Sequence, residues 1–193
     1  MRNNLKSTSV QTISSQNLLK IKSFLWRLIN VTLFRFFPTW LKLPRIILLR
    51  IFGAKIANTA RISRTVTIYQ PWNFEMGHLS RLDAYTCAYC DDKIKIKDKC
   101  RIGRKVNLIT KSQPDGSSGL AMAPVVVGNG CWIATGSCIR PGVTLGHYTT
   151  VGAESVVIEN TEPFSIVAGN PAKVIKKAII ECGDSNNSAI RFD

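Results

Sequence analysis

Two hydrophobic rhythms divide the chain. Between residues 17 and 52, Leu18, Ile21, Leu25, Leu28, Ile29 and Leu33 recur at helical spacings, with Lys20, Lys22, Arg27 and Arg35 between them. This pattern predicts an amphipathic helix with a basic polar side. Pro38 and Pro44 interrupt it, so the expectation is a helix, a connector and a short second helix over 44–52. From residue 53 the rhythm changes. Val127, Ile133, Ile139, Leu145, Val151 and Val157 stand six residues apart in one unbroken phase. Gly or Ala often follows the aliphatic residue, as at Gly128, Ala134, Gly146 and Gly152. Four positions after it comes a small or β-branched residue: Cys131, Ser137, Val143, Thr149, Ser155 and Thr161. Met76 with Ser80, Leu82 with Thr86, Ile96 with Cys100 and Ile102 with Val106 obey the same rule, as do Ile56 with Ala60 and Ile62 with Val66.

A unit of six is one short strand and one tight corner. The aliphatic residue points inward, and the small residue fits where corners stack. Three units close a triangular coil, and stacked coils bury a continuous apolar column. The expected fold class is therefore all-β, a parallel β-helix (hexapeptide-repeat solenoid) behind an N-terminal amphipathic helical segment. The expected organisation is a polar N-terminus at 1–16, a basic helical cap at 17–52, the solenoid at 53–175 and a tail at 176–193.

Composition changes this picture in one respect. The chain has 193 residues, 45% of them hydrophobic, with 26 Lys+Arg against 12 Asp+Glu and a formal net charge of +14. Disorder is excluded, and the length suits one domain. The charge is lopsided: residues 1–74 hold twelve bases and no acid, and the first acid is Glu75. Such asymmetry points to a nucleic acid or a membrane surface. Trp26, Phe34, Phe36, Phe37 and Trp40 lie among the bases, but no nucleic-acid recognition motif accompanies them, so no nucleic-acid partner is expected. A basic cap that packs on the solenoid or lies on an anionic bilayer fits better. No run of about 18 uncharged apolar residues predicts a spanning helix. The first residues lack the pattern of a cleaved signal peptide, so the six cysteines are read as reduced thiols of a cytoplasmic protein. Cys87-x-x-Cys90 has no second pair at a matching spacing, and no metal is expected. Cys100 and Cys131 occupy the small slot of the repeat. His78 and His147, the only histidines, stand two places after a repeat aliphatic and are expected on outward corners.

Several stretches carry a resemblance: Leu49–Ile56, Pro71-Trp-Asn-Phe74, Pro124–Gly128, Trp132-Ile133, Arg140-Pro-Gly-Val-Thr144 and Val167-Ala-Gly-Asn-Pro-Ala-Lys173. Over about residues 20–177 the chain resembles the hexapeptide-repeat acyltransferases, and within them the colanic acid and capsular polysaccharide O-acetyltransferases, near the maltose and galactoside acetyltransferases. The resemblance implies a left-handed coil, a homotrimer, and acetyl-CoA as co-substrate in the groove between neighbouring solenoids. It implies a sugar or lipid-linked oligosaccharide as acceptor. It also implies a His general base in a Thr-x-(Ser/Thr)-His motif. The matching stretch is Leu108-Ile-Thr-Lys-Ser-Gln-Pro-Asp115, and the family His position holds Gln113.

A Gln amide can hold a hydroxyl but cannot accept its proton near neutral pH. Asp115 in the same loop is a candidate substitute base, and Asp83 is a candidate on the acceptor side. Asp91 and Asp92 read as a solvated corner. Thr135 and Ala153 match coenzyme A contacts on the coils, and Lys173 and Lys176 match contacts near its phosphates. The expected activity is O-acetyl transfer to a sugar in surface polysaccharide biosynthesis, impaired at Gln113. The alternative is a catalytically inactive scaffold or regulatory subunit of a polysaccharide-synthesis complex. The expected location is the cytoplasm, with peripheral contact at the inner membrane face.

Overall fold

The computed structural model describes residues 22–23, 25–26, 42–113, 121–180 and 190–192. Expectations for residues 1–16 and for most of the first helical run lie outside the described residues.

From Lys55 onward the chain winds as a parallel β-solenoid of about five turns with three faces. The first face stacks Lys55–Ile56, Phe74–Met76, Ile94–Ile96, Val125–Val127 and Thr144–Leu145. The second stacks Arg61–Ile62, Arg81–Leu82, Arg101–Ile102, Trp132–Ile133, Thr150–Val151 and Ser165–Gly169. The third stacks Thr67–Ile68, Cys87–Tyr89, Asn107–Ile109, Cys138–Ile139 and Val156–Val157. The six-residue rhythm supplies the inward columns: Ile56, Met76, Ile96, Val127 and Leu145 sit in register on the first face, each buried. Equivalent columns run behind the other faces. Each buried aliphatic contributes about 1.5–3 kcal/mol.

The corners explain the small slot. Before it stands a residue in the left-handed region, such as Leu79 (φ 56°), Lys99 (φ 57°), Gly130 (φ 66°) and Tyr148 (φ 58°) in one corner column. The next residue turns its side chain inward and closes a backbone carbonyl of the following coil. Ser80 Oγ donates to Lys97 O (2.6 Å), Cys100 Sγ to Gly128 O (2.9 Å) and Cys131 Sγ to Gly146 O (2.9 Å). Thr149 Oγ1 donates to Glu162 O at 3.1 Å. The slot therefore needs a small side chain, and a hydroxyl or thiol there satisfies a carbonyl with no strand partner. The two cysteines of the slot are structural, as the sequence suggested. His78 is exposed as expected, whereas His147 is half-buried and its Nδ1 accepts the Asn129 N–H at 3.1 Å. A corner hydrogen bond, not solvation, holds that second ring.

A helix, α1 (Lys42–Ile51), precedes the first coil and starts two residues before the expected 44. Pro44 falls in its first turn, where a missing N–H costs nothing. Ile46 and Leu49 are buried against the coils, and Arg45, also buried, donates from Nη1 to Ile62 O (3.3 Å). Burial lowers the Arg45 pKa, and Arg64 lowers it further. In the preceding helical segment Trp26 is buried, its Nε1 donates to Ile68 O (2.6 Å), and its ring meets Phe52 at 5.0 Å. At the other end Ala172–Ile180 folds back antiparallel on Ser165–Gly169 after a cis Asn170–Pro171 bond. That strand runs on through residue 176, where the sequence placed a tail.

Close stacking makes a stability prediction at two glycines. A Cβ on Gly128 would lie 2.8 Å from the Gly146 backbone, which cannot yield. Gly128→Ala is expected to cost about 1–3 kcal/mol through overpacking. Gly142 needs its φ of +81°, but a Cβ there would make only an ordinary contact, with Ala123 Cβ at 3.4 Å. Gly142→Asn should be close to wild type, because Asn tolerates that conformation, whereas Gly128→Asn should be worse than Gly128→Ala. Denaturant midpoints of the variants check the order.

Candidate active site

The corner between the third and first faces departs from the six-residue rule, equally in the first two coils and much further in the third. In the first coil it holds a single 3₁₀ turn, Pro71–Asn73. In the second it holds Asp91 and Asp92, tied down by Asn73 Nδ2 donating to Cys90 O (2.9 Å) and by Gln70 Nε2 donating to Asp91 Oδ1 (3.3 Å). In the third it opens into a hairpin whose stem pairs Lys111 with Met122 and Ser112 with Ala121. Residues stack 20 positions apart in the early coils, 31 across the hairpin and 18 beyond it.

Thr110 roots the hairpin. It is buried, its Oγ1 donates to Tyr89 O (2.7 Å) and accepts the Asp92 N–H (2.9 Å), and its carbonyl accepts the Ala123 N–H (2.9 Å). Gln113, immediately beyond the stem, is exposed. Asp115 lies outside the described residues. Below the hairpin, Tyr69 and Tyr89 stack with centroids 4.7 Å apart. Burial, with Cys87 and Tyr69 alongside, pushes the Tyr89 phenol up to about 12, so it stays protonated at neutral pH. Burial also raises the Cys87 and Cys90 thiols, which leaves neither as a thiolate. None of these three side chains replaces a base near Gln113. Asp91 and Asp92 are more than a solvated corner: both take part in the hydrogen bonds under the hairpin.

The other expected site residues share a different corner, between the second and third faces. Thr135 and Ala153 occupy equivalent positions in consecutive coils, and Thr135 O accepts the Glu154 N–H at 2.9 Å. Ala168 packs over Gly152 and pairs with Lys173, which brings that lysine to the top of the same corner. Lys176 pairs with Ile166 on the second face, and both lysines are exposed. Asp83 lies lower on this edge, largely shielded, its Oδ1 2.5 Å from Arg81 Nε. The structure thus gathers Asp83, Thr135, Ala153 and Lys173 along one edge and sets Gln113 on the next. No group of metal ligands forms among the described residues.

The family model for the bacterial transferase hexapeptide (six repeats) matches residues 124–159. The chain is 35% identical over 161 residues to a protein of Escherichia coli (strain K12) named as a colanic acid biosynthesis acetyltransferase, WcaF, with 82% of this chain and 88% of that one covered. The chain belongs to the hexapeptide-repeat acetyltransferases. Among solved structures, this acetyltransferase superposes on a galactoside acetyltransferase in complex with coenzyme A with a TM-score of 0.74 at 23% identity, covering 82% of each chain. A maltose O-acetyltransferase from Clostridium difficile 630 gives 0.71 at 26% identity, covering 83% and 88%. The fold is the left-handed parallel β-helix of such enzymes.

One set of residues of this hexapeptide-repeat acetyltransferase went unread in the sequence. Arg61, Arg81 and Arg101 project from successive strands of the second face in register. The signal was available, because the same residue type recurs at the coil spacing of the early turns, but it is invisible at the six-residue period.

The hairpin root yields a prediction. Thr110→Val keeps the shape but deletes a hydroxyl that serves Tyr89 O and the Asp92 N–H. Stability is expected to fall by about 1–3 kcal/mol, and limited proteolysis is expected to cut the hairpin first. A urea midpoint and the mass of the first fragment read both effects.

Proposed function

We propose that this protein transfers the acetyl group of acetyl-CoA to a hydroxyl of a sugar or lipid-linked oligosaccharide in surface polysaccharide biosynthesis. The observation that carries this reading is the relationship, over 82% of the chain, to an acetyltransferase named for colanic acid biosynthesis. Coenzyme A bound to the galactoside acetyltransferase supports the donor. In this reading the cofactor lies along the edge of Thr135 and Ala153, where backbone groups and the exposed Lys173 and Lys176 receive its phosphates. Gln113 and that edge stand on different corners of one chain, so a complete site calls for neighbouring copies, as in a homotrimer. Asp83 then faces the acceptor.

The acceptor oxygen attacks the thioester carbonyl carbon, the C–S bond breaks, and coenzyme A leaves as the thiol. The hydroxyl proton must pass to a base, and this is the step Gln113 cannot perform. Its amide orients the hydroxyl. Asp83 is engaged by Arg81, which leaves Asp115 as the proton acceptor. A second reading, an inactive scaffold or regulatory subunit, draws on the same Gln113.

Wild-type turnover is expected to be low and to fall further in Asp115→Asn, while Gln113→His raises kcat by about 100-fold, the lower end of what a general base contributes. The assay is acetyl transfer to a panel of nucleotide-linked and lipid-linked sugars, with acetyl-CoA affinity measured alongside. Binding of acetyl-CoA with no transfer in either protein favours the scaffold. No binding at millimolar acetyl-CoA sinks the enzyme reading.

The same reading puts the protein in the cytoplasm, against the inner membrane face. Leu25, Ile47 and Ile51 are exposed on the cap, within the acid-free first 74 residues. No helix among the described residues is long and apolar enough to cross a membrane. Co-sedimentation with vesicles containing anionic lipid, but not with neutral vesicles, is the expected result. Equal recovery in both supernatants refutes the contact.

A further inference from the structure

In-register stacking turns each outward position into a column, and two charged columns are built in opposite ways. On the first face the column reads Lys55, Glu75, Lys95. Glu75 takes Lys55 at 2.9 Å and Lys95 at 3.9 Å, and the hydrogen bond from Lys55 holds its carboxyl below the usual range. That column neutralises itself. On the second face the column reads Arg61, Arg81, Arg101. Like charges directly opposite one another on neighbouring strands destabilise a sheet. Asp83 engages Arg81, but among the described residues neither Arg61 nor Arg101 makes an ion pair. Fold stability does not explain this column; an anionic ligand would.

We infer that the second face is a binding track for an acidic saccharide. Strands stack about 4.8 Å apart, so the three guanidiniums span about 10 Å. Such a row suits oxyanions repeated along an extended molecule better than one isolated ion, and each guanidinium can grip a carboxylate or phosphate in bidentate fashion. The next rung is Trp132, paired with Arg101 and 51% exposed, an open indole that can cover the apolar face of a sugar ring. Beside the first two rungs lies an open groove of about 360 Å³ lined by Asn58, Thr59, Arg61, Leu79 and Arg81, with no carboxylate in its wall. A single aromatic rung is a poor platform for successive bases, which argues against single-stranded nucleic acid. The track deepens the proposed function, on which it rests for the saccharide: the acceptor is acidic, through uronate carboxylates or a diphosphate link.

The test uses the full chain and titrates an alternating uronate-containing tetrasaccharide, its carboxyl-reduced counterpart, a nucleoside diphosphate sugar and a thymidine oligonucleotide. The uronate tetrasaccharide or the nucleoside diphosphate sugar is expected to bind, more weakly as salt rises, and whichever binds tighter identifies the source of the oxyanion. The double variant R61A/R101A should lose at least tenfold in that affinity and Trp132→Ala several-fold, whereas K55A/K95A on the first face should match wild type. Because R61A/R101A removes repulsion, its thermal midpoint should not fall, which separates lost binding from lost folding. Acetyl-CoA affinity is measured in each protein. If acetyl-CoA fails to bind wild type while the acidic saccharide binds, the proposed activity fails and the track stands. Equal affinity for the carboxyl-reduced probe and both anionic ones, unchanged binding in R61A/R101A, tighter binding of the oligonucleotide, or no binding of either anionic probe overturns the inference.

Discussion

The constraint on which everything else depends is the vertical register of the coils. Each strand hydrogen-bonds to its equivalent one turn away, so Ile56 stands on Met76, Met76 on Ile96 and Ile96 on Val127. A residue is never packed alone; it is packed against the same position of the coils above and below. This is why aliphatic residues of similar size recur inside, and why the position after them is so often Gly or Ala. Gly128, Gly146 and Gly152 lie where backbone meets backbone or a neighbouring Cβ, and the approach distances leave no room for more. It is also why the corner slot prefers hydroxyls and thiols: the corner carbonyls fall outside the strand ladders, and Ser80, Cys100, Cys131 and Thr149 supply their partners one coil at a time.

Register tolerates insertion at one place only if the chain returns to the same column. The corner between the third and first faces does this three times, with a 3₁₀ turn, a hydrogen-bonded Asp-Asp corner and a hairpin. After 31 residues the chain re-enters with Val125 to Val127 directly on Ile94 to Ile96. The hairpin can therefore vary without disturbing the core, while Thr110 fixes its direction from within the solenoid. A rigid scaffold that presents one inserted loop can carry functional side chains there without altering its core. The edge of Thr135 and Ala153 is made of backbone and small residues that the repeat itself supplies, whereas Gln113 stands just beyond the stem of a hairpin inserted into it.

The sequence disclosed whatever repeats at six residues, and it did so for a physical reason. Burial imposes the same demand at every coil, so Val127 through Val157 announce the columns, the faces and the small corners. The helix before the first coil was legible from Pro44 and the apolar spacing to within two residues, since a proline can enter a first turn as well as precede it. The role of His147 was not legible, because its ring is held by the Asn129 N–H of the coil below, a contact 18 residues away that no local pattern encodes. Gln113 could be placed from the motif around it, but not the separation between its corner and the edge of Thr135 and Ala153. Which corner a residue reaches depends on the exact residue count of each turn, and the inserted corners change that count.

The two charged columns carry the argument from fold to function one step further. Stacking multiplies the consequence of a charge: one lysine on a strand is solvated, but the same sign on three successive strands must repel. The first face answers with an acid in the middle rung, at no loss to the core, so the fold has a ready way to neutralise a column. The second face has the same geometry and the same freedom to place an acid at Arg81, yet holds a base at all three rungs. Asp83, two residues along the chain, engages only the middle one. When a scaffold solves a problem in one column and leaves it unsolved in the next, the unsolved column is the one whose charge is wanted by something outside the chain. The indole of Trp132 on the following rung makes that something a molecule with both anionic and apolar faces, and places its apolar part toward the coils that carry Thr135 and Ala153.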